Sequence, residues 1–205
     1  MRQFLYFSNK ARTSGNFDTR DLMSAGRMDI AIHVFINVFF LSHKMRQDTK
    51  LHLIFNGPPD PPKHLELFPG KAIPETGAES GKNQPDISKK DVANLIKKML
   101  YKYKRDKKTE VWNGYNIEKK SLFKVIDELE KKGNEIYVLD AKGDDIRNIK
   151  IKQNPVFVLG DHESFNKKEL KKLKSTGTLV SVGKPTYFAS QVVTIINNEM
   201  DRQGI

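Results

Sequence analysis

The feature that most constrains the fold is the apolar run Pro-Val-Phe-Val-Leu at residues 155–159. A strand that is apolar on both sides is typical of a parallel sheet covered on both faces. Similar runs alternate with amphipathic segments along the chain, which predicts an α/β fold with a mainly parallel sheet flanked by helices. The predicted strands are 3–8, 50–56, 110–112, 135–139, 155–159 and 179–182. The predicted helices are 29–43, one beginning at residue 88, 121–132, 166–174 and 187–202.

The domain organisation follows from length and composition. A chain of 205 residues fits one domain, 1–205, without a clear linker. Its stretch 57–85 is rich in Pro and Gly, so we expect a loop or insertion there rather than a domain boundary. The most apolar stretch, residues 30–41, has the length of a buried helix and is too short to span a bilayer. We therefore expect no membrane segment and a cytoplasmic location.

The charge balance favours a polyanionic partner. Lys and Arg number 36 against 25 Asp and Glu, which leaves a net charge of +11. A basic surface of this kind indicates nucleic-acid binding. The lysine-rich runs 102–108 and 167–174 either track phosphates or form solvated faces.

Several chemistries are disfavoured by what the sequence lacks. There is no cysteine, which excludes disulfides, thiol catalysis and cysteine-ligated zinc. The five histidines show no metal-binding spacing, so we expect no metal. The P-loop motif and the G-x-G-x-x-G motif after a strand are absent, and so is the G-x-S-x-G motif of serine hydrolases.

Three predicted strands end in short segments rich in Gly and polar residues. Residues 135–139 lead into Asp-Ala-Lys-Gly, residues 155–159 into Gly-Asp-His-Glu, and residues 179–182 into Gly-Lys-Pro-Thr-Tyr. Ligands of open parallel sheets bind at the carboxyl ends of strands. The three segments therefore predict a cleft, with Gly160 and Gly183 allowing close backbone approach. The competing interpretation is that these segments are ordinary turns. The five histidines are expected to be surface or core residues, and His162 is the one that lies at the predicted cleft.

The segment 13–29, between the first strand and first helix, is the other candidate for chemistry. It carries Asp18, Arg20, Asp21, Arg27 and Asp29. Arg can grip a phosphate with two hydrogen bonds, and Asp can accept a proton. For Asp29 we favour helix capping. For Arg27 we favour a functional role.

The C-terminal half resembles a known family. The motifs are Phe-Val-Leu-Gly-Asp-His at 157–162 and Leu-Val-Ser-Val-Gly-Lys-Pro-Thr-Tyr-Phe-Ala-Ser-Gln-Val-Val-Thr-Ile-Ile-Asn-Asn-Glu at 179–199, with Met-Arg-Gln-Phe at the start and Ser-Ala-Gly-Arg-Met-Asp at 24–29. Together they resemble the SPOUT methyltransferases. Within that class they are similar to the archaeal tRNA pseudouridine-54 N1-methyltransferases, the TrmY family, nearly from end to end.

The resemblance implies a SPOUT fold whose sheet ends in a C-terminal deep trefoil knot, and a homodimer that methylates N1 of pseudouridine 54 in the T-loop of tRNA. The methyl donor, S-adenosyl-L-methionine, is implied to bind largely through the backbone. The implied cofactor residues are Leu139, Leu159, Gly160, Ser181, Val182, Gly183, Tyr187 and Phe188. The candidates for the dimer interface are Ala189, Val192, Val193, Ile196, Phe35 and Phe39, with a purely intramolecular core as the competing interpretation.

The resemblance also suggests roles within the segment 13–29. Asp21, with Asp18 behind it, is the candidate base or orienting group. Arg27 is the other catalytic candidate. Arg20, Arg27 and Lys184 are the RNA-binding candidates. Two alternatives stay open: a methyltransferase of the Nep1 type that modifies pseudouridine in ribosomal RNA, and a non-catalytic RNA-binding module on the same fold.

Overall fold

An eight-stranded sheet organises the parts of the chain that the computed structural model describes, residues 1–72, 88–163 and 165–205. The strands are β1 Arg2–Ser8, β2 Thr49–Phe55, β3 Lys63–Leu67, β4 Thr109–Trp112, β5 Tyr115–Glu118, β6 Glu135–Asp145, β7 Pro155–Gly160 and β8 Thr178–Ser181. The α-helices are α1 Met28–Phe39, α2 Lys89–Tyr101, α3 Leu122–Lys131, α4 Lys167–Thr176 and α5 Ala189–Gln203. Pro69–Ala72 and Ile146–Asn148 are short 3-10 helices.

The strand order is β4-β5-β3-β2-β1-β7-β6-β8. The strands β2, β1, β7, β6 and β8 are parallel, while β3, β5 and β4 extend the sheet in antiparallel pairs. The first strand lies in the middle, where Phe4 pairs with Leu51 on one side and with Phe157 on the other. The predicted mainly parallel sheet flanked by helices is therefore confirmed.

Alternating side chains of each central strand enter two separate cores, as the two-residue period of a strand requires. Phe4 and Tyr6 of β1 point into the core that α1, α2 and α5 cover. Leu5 and Phe7 point into the core that α3 and α4 cover. A strand with two buried faces reads as an apolar run, which explains the pattern of β1 and β7.

The predicted loop 57–85 is only partly correct. Residues Lys63–Leu67 form β3, which pairs antiparallel with β2 and begins directly after Pro62. The short 3-10 helix Pro69–Ala72 follows. The remainder, 73–85, lies outside the described residues. The prediction failed because the prolines before Lys63 indicate a break in regular structure. They do not show that the residues after the break form hydrogen bonds with β2.

Helix α1 begins and ends differently from the prediction of 29–43. Arg27 occupies its N-cap position with φ 61°, and Asp29 lies inside the first turn, past the N-cap. The Asp29 carboxylate instead receives two 3.0 Å hydrogen bonds from the Arg27 guanidinium. The helix ends at Phe39 because Phe40 is extended and pairs with Met45. The predicted capping role of Asp29 is therefore wrong.

The predicted start of the second helix at Ser88 is confirmed. Its hydroxyl accepts a hydrogen bond from the Asp91 N–H at 3.1 Å. This bond satisfies one of the N–H groups that a helix start leaves without a partner.

Most of the predicted dimer-interface residues are buried within this chain. Phe35 and Phe39 of α1 and Val193 and Ile196 of α5 are fully buried in the core beneath these two helices. The helices pack against each other, with Thr194 donating to Asn37 at 2.8 Å. These four side chains are therefore intramolecular core, and the interface prediction is wrong for them. Ala189 and Val192 remain half-buried.

A buried polar network crosses the strands on the α3 side of the sheet. His52 Nδ1 lies 2.9 Å from His64 Nε2, and His52 Nε2 lies 3.0 Å from Gln3 Oε1. His64 Nδ1 lies 3.0 Å from Glu118 Oε1. Burial lowers the pKa of His52 well below 6.5. Burial also lowers the pKa of His64, although Glu118 opposes that shift. Both histidines are therefore held as neutral bases in the folded protein.

This network predicts acid-sensitive stability. Below pH 6.5 the unfolded chain binds protons that the folded chain does not, so the free energy of unfolding falls as pH decreases. The expected slope is about 1.4 kcal/mol per pH unit for each histidine that stays neutral. Urea unfolding between pH 7.5 and 5 measures it, and His52→Gln should make the dependence shallower. The exposed His43 supplies the control, His43→Gln, which should leave the slope unchanged. Equal slopes in wild type and His52→Gln would contradict the assignment.

The described helices include none that is both long and apolar enough to cross a membrane.

Candidate functional site

A cleft of about 470 Å³ lies at the carboxyl ends of β7 and β8 and beside residues 139–141 in the middle of β6. The strand β6 does not end at Leu139 as predicted but continues to Asp145, because its pairing with β8 is interrupted after Leu139 and resumes at Asp144. The parallel register brings these parts of the three strands to one edge of the sheet. Helices α1 and α5 form the remaining wall. The lining residues are Ile30, Leu139, Asp140, Ala141, Leu159, Gly160, Asp161, His162, Val180, Ser181, Val182, Gly183, Lys184, Pro185, Thr186, Tyr187, Phe188, Ala189 and Val192. The position agrees with the general rule that parallel sheets bind ligands at this edge.

The loop after β8 is shaped by a glycine and a serine. Gly183 has φ 135°, a conformation that L side chains rarely adopt. Its N–H donates to Ser181 Oγ at 3.2 Å, which closes the turn. Gly160 ends β7 with an extended conformation in register with Phe7. A positive φ is thus found at Gly183, whereas Gly160 is extended; that the backbone of Gly160 lies close to a ligand stays a prediction.

Asp161 connects the cleft to the first strand. Its carboxylate accepts from the Ser8 hydroxyl at 2.7 Å, from the Asn9 N–H at 3.1 Å and from the Glu163 N–H at 2.9 Å. The residue is only 8% exposed. Hydrogen bonds to a charged acceptor are stronger than neutral ones. Asp161 therefore fixes the loop after β7 to the end of β1 and sets the shape of the cleft floor.

The electrostatics of the cleft combine two carboxylates with one exposed lysine. Asp140 accepts from the Lys142 N–H at 2.8 Å and pairs with Lys174 at 3.1 Å, and these contacts lower the pKa of its carboxyl. Behind the floor, burial first and then the charge of Asp161 raise the pKa of the Tyr6 hydroxyl, which keeps it protonated. Lys184 lies exposed in the loop after β8. The remaining wall is largely apolar.

All eight predicted cofactor residues line this one cleft, and so does Lys184. That they bind a cofactor stays a prediction. The sequence did not single out Ile30, Ala189 and Val192 for the cleft, because helix residues reach it only through tertiary packing. Asp161 stood in a predicted strand exit, but its role depends on Ser8 at the far end of the chain.

Apart from Lys184, the residues predicted for proton transfer and RNA binding lie outside this cleft. Arg20 and Asp21 line a second depression, of about 310 Å³, together with Leu22, Met23, Asp29, Ile32, His33 and Lys89. Asp21 Oδ1 also accepts from the Ser24 N–H at 3.2 Å. Arg20 is paired with Asp18 at 3.1 Å. Arg27 lines neither cavity and is bound to Asp29. Within this chain, the structure therefore separates Asp21 from the predicted cofactor residues.

Tight backbone packing fixes the segment that carries Asp21 and Arg27. A Cβ atom on Gly26 would lie 1.8 Å from the Lys10 carbonyl oxygen, and one on Gly57 would lie 2.2 Å from the same oxygen. Arg12 N donates to Ala25 O at 3.2 Å, and Thr13 Oγ1 donates to Gly57 O at 2.9 Å. The segment is therefore held against the loop after β2.

Across the described ranges, no group of three or more His, Cys, Asp or Glu side chains is placed to hold a metal ion.

The fold and the cleft define the class: an α/β protein with a cleft at one edge of the parallel part of its sheet. A solved structure with a similar fold is "Crystal structure of Archaeoglobus Fulgidus Nep1 bound to S-adenosylhomocysteine", with a TM-score of 0.66 and 12% identity over 99% of this chain and 98% of that chain. The likeness shows a shared fold.

Sequence comparison gives the family. The model described as "Putative SAM-dependent RNA methyltransferase" matches residues 1–205, and the chain belongs to that family. A relative from Methanococcus aeolicus, named tRNA (pseudouridine(54)-N(1))-methyltransferase, is 35% identical and covers 98% of both chains. A relative of the same name from Pyrococcus abyssi is 32% identical over the full length of both.

Proposed function

We propose that this chain transfers a methyl group from S-adenosyl-L-methionine to N1 of pseudouridine 54 in tRNA. The observation that carries the proposal is the single cleft that collects all eight predicted cofactor residues in a chain of this family. The names of the full-length relatives supply the substrate. The net charge of +11 agrees with a polyanionic substrate.

The residues present fit such a cofactor. A volume of about 470 Å³ is in the range of sites for ligands of this size. Leu139, Leu159, Val182 and Val192 offer apolar surface for an aromatic base. Ser181 Oγ accepts from the Gly183 N–H and donates to the Gly183 carbonyl, so the main chain of this turn is held in one conformation beside the cleft. We assign binding of the cofactor to Leu139, Leu159, Gly160, Ser181, Val182, Gly183, Tyr187 and Phe188.

When bound, S-adenosyl-L-methionine supplies an electrophilic methyl group attached to a sulfonium. This chain must then orient the uracil ring and accept the proton that leaves N1, because the nitrogen attacks only as its proton is removed. We assign that proton to the Asp21 carboxylate, which is exposed at the edge of the second depression. Because this depression and the cleft are separate within one chain, the assignment requires Asp21 of one subunit to reach the cleft of the other subunit in the homodimer proposed below. Arg27, Arg20 and Lys184 bind the RNA. Arg27 must exchange its half-buried ion pair with Asp29 for a phosphate.

Asp21→Asn should lower the rate of methylation by about 100-fold or more, since a positioned base contributes that much. Arg27→Ala should mainly raise the KM for RNA. Single-turnover rates and KM values measure the two effects. Asp127→Asn is the matched control, because it removes an equal charge from an exposed position on α3, outside both cavities, and should change the rate by less than about 3-fold. Rates near wild type in both Asp21→Asn and Arg27→Ala would remove these residues from the mechanism.

One assay tests the function itself. The protein is incubated with labelled methyl donor and with tRNA transcripts that carry uridine or pseudouridine at position 54, and the product nucleoside is identified by mass. We expect N1-methylpseudouridine only from the second transcript. Methylation of a pseudouridine-containing ribosomal RNA hairpin alone would favour the Nep1-type activity. Binding of RNA without any binding of S-adenosylhomocysteine in calorimetry would favour the non-catalytic module.

We further propose that the chain forms one SPOUT domain, 1–205, with a C-terminal trefoil knot. The close passage of β6 over β8 supports this: Leu139 and Asp144 both pair with Val180, and a Cβ on Gly143 would lie 2.5 Å from Val180 N. The proposal includes a cytoplasmic homodimer. Its support is the half-buried apolar surface of Ile30, Ile36, Val192 and Ile195 beside Phe188, which is 75% exposed.

A further inference from the structure

Helix α2 carries a stripe of exposed cations that the proposed reaction does not use. Lys90 and Lys98 within the helix and Lys102 at its C-cap are exposed and spaced so that they follow one side of the helix. Tyr101 lies on the same side with 59% of its surface exposed. Further exposed cations follow the helix directly: Lys104, Arg105 and Lys107. We call Lys90, Lys98, Tyr101 and Lys102 the α2 stripe.

The charge of the α2 stripe is not neutralised within the described parts of the chain. Among the residues that the structure describes, no carboxylate forms an ion pair with Lys90, Lys98 or Lys102. The nearby Asp91 is bound by the Ser88 hydroxyl at the helix start. A cluster of uncompensated lysines on a folded surface is costly by self-repulsion and attracts polyanions.

The α2 stripe is continuous with the depression that holds Asp21. The segment 15–22 runs beside α2 in the opposite direction. A Cβ on Gly15 would lie 2.6 Å from the Tyr101 ring, so this ring rests on the Gly15 backbone. Lys97 Nζ donates to Phe17 O at 2.6 Å. At the other end, Lys89 lines the depression together with Arg20 and Asp21. A ligand in the depression can therefore extend along α2 for about 18 Å, the rise of twelve helical residues.

We propose that the α2 stripe is a docking surface for the RNA outside the methylated nucleotide. This inference rests on the proposed function. The lysines contact successive phosphates, and the ring of Tyr101, supported from behind by Gly15, stacks on an unpaired base. Lysines interleaved with an exposed aromatic ring suit single-stranded or looped RNA, because the ring binds a base face while the cations follow the backbone.

Helix α4 offers a second lysine-rich surface, but its position differs. Its Leu173 packs in the core on the opposite side of the sheet from α1 and α2. Lys172 lies over the Phe123 ring at 4.1 Å, and Lys174 is paired with Asp140. Lys167 and Lys171 are exposed there with the same i, i+4 spacing as Lys98 and Lys102. Helix α4 therefore provides a matched control with equal charge.

The test measures binding of fluorescently labelled tRNA by anisotropy at several salt concentrations. We expect Lys98→Glu/Lys102→Glu to weaken binding about 10-fold or more, and Lys167→Glu/Lys171→Glu to weaken it less than about 3-fold. Lys98→Ala/Lys102→Ala should reduce the slope of log K against log salt by about 1 to 2. Tyr101→Ala should weaken binding about 5-fold or more, whereas Tyr101→Phe should not. Unchanged binding of S-adenosylhomocysteine shows that each variant is folded.

The outcomes separate this inference from the proposed function. Equal weakening by the α2 and α4 variants would overturn the docking surface, since it would reveal a general charge effect, while tRNA methylation could still be intact. Absence of methylation by the wild-type protein would refute the function without deciding where RNA binds. A higher KM for tRNA at unchanged kcat in the α2 variant supports contact outside the reacting nucleotide.

Discussion

Gly26→Ala should destabilise the protein by about 4 kcal/mol or more, a large effect for the addition of a single methyl group. Two costs combine. The residue has φ 73°, which an alanine adopts at a cost of about 1 kcal/mol. The new Cβ would also lie 1.8 Å from the Lys10 carbonyl oxygen, so the backbone of one of the two segments must move. For a chain of this length the expected decrease in Tm is about 8–16 °C. Thermal and urea unfolding measure it.

Gly133→Ala is the matched control for this substitution. Gly133 has φ 77°, nearly the same backbone conformation, and nothing lies within 4 Å of its Cβ position. It should therefore show only the conformational cost of about 1 kcal/mol. The difference between the two variants isolates the close approach to Lys10. If both variants lost the same stability, the packing of segment 13–29 against Lys10 would not matter.

Asp161→Ala is expected to lower both stability and cofactor affinity. The substitution removes the acceptor for the Ser8 hydroxyl and for the N–H groups of Asn9 and Glu163. Charged hydrogen bonds contribute about 1.5–3 kcal/mol each, and water can replace part of them, so a loss of about 2–4 kcal/mol is expected. The loop after β7 would also lose its attachment to β1. Calorimetry should therefore show about 10-fold or weaker binding of S-adenosylhomocysteine.

Two variants make the Asp161 result specific. Asp144→Ala removes the same charge from an exposed position near the cleft and should change stability by less than about 0.5 kcal/mol. Asp161→Asn keeps the size and one acceptor oxygen, so an intermediate effect is expected. Wild-type melting and wild-type binding in Asp161→Ala would mean that the three hydrogen bonds do not shape the cleft.

The sequence allowed the parallel part of the sheet to be predicted because its strands are buried on both faces. Residues 4–7 of β1 and residues 155–159 of β7 are apolar throughout, and a short apolar run of this kind is typical of a central parallel strand. By contrast, β5 has only four residues, Tyr115–Glu118, and β3 follows a proline-rich break. Their strand conformation comes from hydrogen bonds with β2 and with each other. The local sequence pattern of a short strand does not indicate which other strands it will pair with.

The same distinction applies to the candidate site. Leu159, Gly160 and Gly183 follow from the rule that strand ends form ligand sites, together with the family resemblance. Ile30 and Val192 line the cleft only because α1 and α5 pack beside it. The pairing of Arg27 with Asp29 likewise depends on the left-handed conformation of Arg27 at the start of α1. Propensity rules would not place a non-glycine residue in that conformation.

The central position of β1 has a consequence for biosynthesis. One edge of this strand pairs with β2, but the other must wait for β7, whose Val156 pairs with Gln3. Ribosomes add about 5–20 residues per second, so this edge stays open for on the order of 10 s after β2 has emerged. An unpaired apolar strand edge invites association between nascent chains. The newly made polypeptide should therefore depend on chaperones more than its modest length suggests.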